Sequence, residues 1–271
     1  MDTGLANKVA IVTGATANIG KAISLALGTE GMCLLLVGRD SAQGTRVAKE
    51  AVSLGAPDAR FICVDMLEAD SGQRIADAAD GAFGTVDVLV NNVGGNVDFG
   101  LFAESDPDIW DRDIDLNFKT NLRMTRAVLP GMIARQSGRI VNIGSTAGEV
   151  GDYMLATYSA SKGAVHAFTK VLAKEVGEFG VTVNCVAPYA TMPEDPARDT
   201  SSGSRYHPDT GIITRAIQER GESLARMIRP KLLPRGMAKP EEIAAAVVYL
   251  ASERASFVTG QVHFVDGGTL L

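Results

Sequence analysis

The sequence is poor in the residues that staple or ligate: three cysteines, three histidines and one tryptophan in 271 residues. An odd number of cysteines with no Cys-x-x-Cys spacing excludes a disulfide scaffold and a thiolate zinc site. Cys33, Cys63 and Cys185 each fall in a strand-like apolar run, where a buried, inert thiol is expected. His207 and His263 have no ligand-like partners at useful spacing, so no metal site is expected. Long apolar runs are missing too. The longest spans 243–251, against the roughly 18 residues of a membrane helix. No basic segment leading into an apolar one opens the chain, so no signal peptide is expected, and a reducing cytoplasm suits the composition. Nor is there an excess of positive charge. The 26 Lys and Arg against 32 Asp and Glu leave a net −6, the wrong sign for a partner of nucleic acid. What is present is a globular balance, 46% hydrophobic and 21% charged, at a length that suits one large α/β domain or two small ones.

Short β-like runs alternate with longer helical patterns. Strands are expected at 8–13, 32–37, 61–64, 86–90, 139–143, 181–186 and 261–265. Helices are expected at about 19–30, 41–54, 68–80, 106–135, 157–179 and 239–252. Strict alternation implies parallel pairing through right-handed crossovers, hence a doubly wound, seven-stranded parallel sheet flanked by helices in a Rossmann-like α/β fold. No linker divides the chain, so 1–271 is expected to be a single domain. The stretch from about 189 to 235 breaks the rhythm. It opens polar and turn-rich, then becomes a helical pattern near 212–227, and it is expected to be a lid over a site.

Thr13-Gly14-Ala15-Thr16-Ala17-Asn18-Ile19-Gly20 lies between the first strand and the first helix. Small residues there let the backbone approach a pyrophosphate, and the helix N-terminus offers free N–H groups and a positive dipole end. Asn18 stands where a middle glycine is usual, and Asn tolerates left-handed backbone angles better than most side chains. The second strand ends Val37-Gly38-Arg39-Asp40. An acidic residue at that end would accept from a ribose 2′-hydroxyl. Gly38 cannot, whereas Arg39 offers a partner for a 2′-phosphate, or else is a solvated surface charge. Asp65 either accepts from an adenine amino group or caps the following helix.

Tyr158-Ser159-Ala160-Ser161-Lys162 places a phenol and an ammonium at i and i+4 on one helix face. A phenol is a poor base at neutral pH, and a nearby ammonium favours its ionised form. The pair therefore suits proton transfer in carbonyl–alcohol chemistry. Val141-Asn142-Ile143-Gly144-Ser145 would set the Ser145 hydroxyl at the carboxyl edge of the sheet, where ligands of such sheets bind.

From about Lys8 to Gly268 the sequence resembles the single-domain branch of the short-chain dehydrogenase/reductases. The motifs that carry the resemblance are TGATANIG (13–20), Asp65, NNVG (91–94), Asn117, Ser145, YSASK (158–162), NCVAP (184–188) and VTGQVHFVDGG (258–268). It implies that Tyr158 is general acid in reduction and base in oxidation. Lys162 would assist Tyr158 and bind the nicotinamide ribose, Ser145 would hydrogen-bond the substrate oxygen, and Asn117 would hold a water linking Lys162 to solvent. Cofactor contacts would come from Gly14, Thr16, Asn18, Ile19 and Gly20 in the turn, then from Arg39, Asp65 and Met66. Asn92, Gly94, Tyr158, Lys162, Pro188 and Thr191 would complete them. The sequence departs from the family pattern at Asn18 and at Tyr189, where the family usually has glycine after Pro188.

These readings lead to an oxidoreductase that moves a hydride between NADP(H), with NAD(H) the alternative, and a secondary alcohol or ketone. Ile212, Ile213, Ile217, Leu224, Met227 and Ile228 on the lid favour a bulky, largely apolar small-molecule substrate, cyclic or aromatic. A 3-oxoacyl-thioester reductase and a non-catalytic cofactor-binding sensor are the alternatives. The resemblance implies a homotetramer, with a dimer as the other possibility. The arginines of the lid would either grip an anionic substrate or form a solvated helix face.

Overall fold

Strands form where short β-branched and apolar runs lie between helical stripes. The strands are Val9–Thr13 (β1), Cys33–Gly38 (β2), Ala59–Cys63 (β3), Val88–Asn91 (β4), Gly138–Ile143 (β5), Val181–Pro188 (β6) and Val262–Val265 (β7). They make one sheet of order β3-β2-β1-β4-β5-β6-β7, parallel throughout. The helices are Asn18–Thr29 (α1), Ser41–Leu54 (α2), Ser71–Phe83 (α3), Pro107–Ile114 (α4), Thr120–Ala134 (α5), Ala147–Val150 (α6), Ala156–Val176 (α7), Pro196–Asp199 (α8) and Pro240–Ala251 (α9). The computed structural model describes every residue except 1, 201–203, 205, 206, 213–215, 217, 219, 220, 222–224 and 227. Among the described residues no helix is long and apolar enough to cross a membrane.

Both faces of the sheet are covered, which is why its strands read as continuous apolar runs rather than as alternation. Successive side chains still point to opposite faces. Val12, Leu34 and Leu36 pack with Leu27 of α1 and Val247 and Leu250 of α9. Ile11, Leu35 and Leu89 pack with Ile75 of α3, Met124 of α5 and Leu172 of α7. β1 has β2 on one side and β4 on the other, so the crossovers leave it in opposite directions and a crevice opens at the carboxyl ends of β1 and β4.

Two expectations change. The helix expected at 106–135 is divided, because a π-turn at Asp115–Lys119 separates α4 from α5. The extra residue in that turn carries the Asn117 amide inward to the backbone of Gly95, an effect that hydrophobic period does not record. Cys63 is exposed rather than buried, because β3 is an edge strand; Cys33 is half-buried and only Cys185 is buried. The segment after β6 leaves and returns at adjacent points. Thr191 bridges Ala238 in parallel, with Met192 N–H to Ala238 O at 3.1 Å and Ala238 N–H to Ala190 O at 2.9 Å. Much of the helix expected near 212–227, including Ile213, Ile217, Leu224 and Met227, lies outside the described residues. Ile212 and Ala216 pack with Phe99, Met154, Leu155 and Tyr158, whereas Ile228 is exposed.

Candidate active site

The site begins at the turn between β1 and α1. Gly14 has φ 64° and Asn18 φ 45°, so both use left-handed backbone, the second with a residue that bears it at low strain. A Cβ on Gly20 would lie 2.0 Å from the Gly14 carbonyl oxygen, so only glycine lets α1 approach the turn this closely. Ala17 at the start of α1 supplies no side-chain cap, and the first turn holds no acidic residue. The leading amides of α1 thus keep their positive end uncompensated. The Asn18 Oδ1 atom beside them is buried and without a hydrogen-bond partner. Asn92 braces the turn by donating from Nδ2 to the carbonyls of Thr13 and Gly14 at 3.0 and 3.1 Å. A narrow, uncapped, glycine-lined turn of this kind fits a dinucleotide pyrophosphate.

A cleft of about 920 Å³ runs from this turn across the carboxyl edge of the sheet. Gly14, Thr16, Asn18, Ile19 and Gly20 line one end of it, and Arg39, Asp65 and Met66 one side. Asn92, Gly94, Ser145, Tyr158, Lys162, Pro188 and Thr191 line the rest. The Arg39 side chain is 62% exposed and its Nη1 lies 3.9 Å from Asp65 Oδ2. Asp40 caps α2 by accepting from Gln43 N–H at 2.9 Å. Asp65 does not cap a helix: its Oδ1 accepts from Leu67 N–H at 3.0 Å, and Asp70 precedes α3.

At the other end α7 presents Tyr158 and Lys162, 8% and 2% exposed. The Lys162 ammonium lies 6.0 Å from the centroid of the Tyr158 ring and donates to the carbonyl of Ile143, the last residue of β5, at 2.8 Å. A buried ammonium is expensive, so its retention here points to use of its charge. Ser145 Oγ accepts from Ala147 N–H at 3.1 Å, which leaves the hydroxyl proton to be donated into the cleft. Asn117 lies outside the cleft wall and is fully buried. Its Nδ2 donates to the carbonyls of Gly95 and Asp113 at 3.0 and 2.9 Å, and its Oδ1 accepts from Gly95 N–H at 2.8 Å. A Cβ on Gly94 would meet Asn117 Oδ1 at 2.8 Å and Lys162 Nζ at 2.9 Å. Asn117 and Lys162 therefore flank one glycine. Thr191 donates from its hydroxyl to the carbonyl of Tyr189 at 3.0 Å, leaving acceptor capacity toward the cleft.

Burial lowers His166 to about 4, against a smaller opposing pull from Glu149, and burial pushes the Cys185 thiol up to about 12. The described arginines of the 189–235 stretch are mostly paired: Arg198 with Asp199, Arg229 with Asp152 and Arg235 with Glu242; Arg205, Arg215 and Arg220 lie outside the described residues. Lys21 of α1 meets Asp199 at 2.9 Å, tying α8 to the glycine turn. Two features escaped sequence reasoning. One is a buried polar relay under the cleft, Asn91 to Asn142 at 2.9 Å and Asn142 to Thr169 at 2.9 Å. The other is the group of contacts around Arg229. Neither has a local signal, because each joins residues far apart in the chain.

The geometry, a dinucleotide-sized cleft ending at a Tyr–Lys pair opposite a serine, is that of an oxidoreductase on a doubly wound sheet. The chain belongs to the short-chain dehydrogenase/reductase family. The family model described as short chain dehydrogenase matches residues 8–200, and one described as Enoyl-(Acyl carrier protein) reductase matches residues 208–269. The chain is 34% identical to a 3-oxoacyl-(acyl-carrier-protein) reductase of Vibrio cholerae over 97% of its own length and 98% of that protein. It is 35% identical to an acetoacetyl-CoA reductase of an Acinetobacter species over 96% and 97%. A solved short-chain type dehydrogenase/reductase from Mycobacterium ulcerans superposes with a TM-score of 0.82 at 26% identity, covering 98% of this chain and 90% of that one. The cofactor of the family is a nicotinamide dinucleotide.

Proposed function

We propose that this protein reduces the ketone of a 3-oxoacyl thioester to a secondary alcohol, with NADPH preferred over NADH. The observation that carries the reading is the convergence of Tyr158, Lys162 and Ser145 at one end of a cleft that starts at the uncapped turn of α1. The names of the relatives above support the substrate class. The turn from Gly14 to Gly20 would hold the pyrophosphate, Arg39 the 2′-phosphate, Asp65 and Met66 the adenine end, and Asn92 and Gly94 the middle. Lys162 would hold the nicotinamide ribose, and Pro188 and Thr191 the carboxamide. The bound dinucleotide supplies the hydride at the substrate carbon. Ser145 donates a hydrogen bond to the substrate oxygen. Tyr158 delivers its phenolic proton to that oxygen, and the ammonium of Lys162 stabilises the phenolate left behind. Asn117 holds the backbone at Gly95 and at Asp113, which together use both N–H groups of its amide, so a water linking Lys162 to solvent would be held by its main chain. In solution the protein is proposed to be a cytoplasmic homotetramer.

A second reading, a bulky and largely apolar ketone, is favoured by the apolar wall of Phe99, Met154, Leu155 and Ala216 beside Tyr158. A substrate panel separates the two: loss of NADPH absorbance with acetoacetyl-CoA, against cyclic and aromatic ketones. Turnover of acetoacetyl-CoA is expected to dominate. Tyr158→Phe keeps the ring and removes the proton, so kcat should fall by about 10²-fold or more while cofactor affinity by fluorescence titration is nearly unchanged. Retention of more than about a tenth of activity would remove Tyr158 as the acid. Cofactor binding with no turnover of any ketone would instead point to a sensor.

A further inference from the structure

Arg229 lies on the stretch that returns toward Ala238, and it touches the segments that follow β5 and β6 at the substrate end of the cleft. Its Nη2 donates to Thr146 Oγ1 at 3.0 Å and to Asp152 Oδ1 at 2.7 Å. Its main-chain N–H donates to the Tyr189 hydroxyl at 3.0 Å, and its guanidinium carbon lies 4.7 Å from the centroid of the Tyr189 ring. Thr146 follows Ser145 directly, is 1% exposed, and donates from its own N–H to the Pro188 carbonyl at 3.0 Å. Thr146, Pro188, Tyr189 and Arg229 therefore form a closed ring of contacts. Asp152 extends the ring to α7, where its N–H donates to the hydroxyl of Ser159, the neighbour of Tyr158, at 3.1 Å. The Arg229 and Asp152 side chains are only 17% and 14% exposed, yet Nε and Nη1 of Arg229 are buried with no hydrogen-bond partner. A half-satisfied, desolvated ion pair is a poor stabiliser, since the lost hydration offsets the attraction. What remains is its geometric effect. A planar guanidinium can lie flat on an aromatic ring while one nitrogen serves two acceptors, which an ammonium cannot match.

We infer that Arg229 is a positioning residue for the reduction: through Thr146 it sets the Ser145 hydroxyl, and through Tyr189 it makes that setting depend on the stretch that returns toward Ala238. The inference rests on the reductase reading above. Arg229→Gln is expected to lower kcat by about tenfold to a hundredfold, the scale of a reacting group displaced by about an ångström, with cofactor affinity almost unmoved. Arg229→Lys should rescue little, whereas free guanidinium should restore part of the kcat lost by Arg229→Ala. The decisive measurement is kcat in the Ser145→Ala background. If Arg229 acts through Ser145, adding Arg229→Gln there costs less than about twofold; losses that multiply overturn the inference and leave the reductase reading standing. A Ser145→Ala enzyme with wild-type kcat removes both. Thr146→Val, which deletes the linking hydroxyl and keeps the Asp152 pair, guards against a misfolded Arg229 variant. It should lower kcat on its own with little change in melting temperature, and an unchanged kcat overturns the inference.

Discussion

In the proposed reading, cofactor preference rests on single residues at the end of β2. A charge-assisted hydrogen bond contributes about 1.5–3 kcal/mol, but Arg39 is 62% exposed and solvent screens it, so the lower end applies. Arg39→Ala is expected to weaken NADPH about tenfold in kcat/KM and to leave NADH nearly unchanged. Equal losses for both cofactors would show that Arg39 only shapes the surface. The converse change meets a steric obstacle. A Cβ on Gly38 would lie 2.8 Å from Thr16 Cγ2, so Gly38→Asp should need Thr16→Ser beside it before its carboxylate can favour NADH. His166 makes a separate prediction. It is 4% exposed, and burial holds it at about 4 against 6.5 in the open chain, despite Glu149 nearby. The folded protein thus keeps it neutral where the unfolded chain binds a proton. Stability should be full above pH 6.5 and fall as pH drops toward 4, by up to about 3 kcal/mol. Urea midpoints across that range check the slope, which His166→Leu should flatten.

At the scale of elements, α1 is the one whose start must stay in place. Asn18 opens it at φ 45°, a region costing an ordinary side chain about 1–2 kcal/mol. Asn18→Gly should therefore leave melting temperature and cofactor affinity close to wild type, whereas Asn18→Val should lower both. Gly20→Ala is a harsher change, because its methyl would meet a backbone oxygen at 2.0 Å and no rotamer relieves that. The first turn of α1 would have to move, and cofactor binding should be lost ahead of overall folding. Fluorescence titration beside thermal melting separates the two effects. Normal affinity in Gly20→Ala would mean that the pyrophosphate does not bind at this turn. The π-turn between α4 and α5 acts similarly, as a local irregularity that aims one amide, Asn117, at the backbone behind Lys162.

For the whole molecule the open question is what covers its edges. β7 ends the sheet on one side, and an uncovered edge strand is a liability. Phe264 of β7 is 37% exposed, Phe257 just before β7 is fully exposed, and Tyr249 of α9 is 45% exposed. In the proposed tetramer further copies of the chain cover this edge, and light scattering should then return four times the 28.5 kDa of the chain. A monomer at micromolar concentration would contradict the tetramer.

The sequence by itself determined the parallel, doubly wound sheet, because apolar runs bounded by helical stripes leave few ways to bury both faces. It also determined where the Tyr158–Lys162 pair and the glycine turn lie, since both are local spacings on one element. It did not determine the break at Asp115–Lys119, where one extra residue in a turn leaves the hydrophobic period nearly intact. Nor did it reveal that Cys63 is exposed, since exposure follows from strand order rather than from residue type. The partners of Arg229 were out of reach for the same reason. Thr146, Asp152 and Tyr189 lie 83, 77 and 40 positions from it in the chain, and only the return of the chain to pair Ala238 with Thr191 brings them within hydrogen-bonding distance.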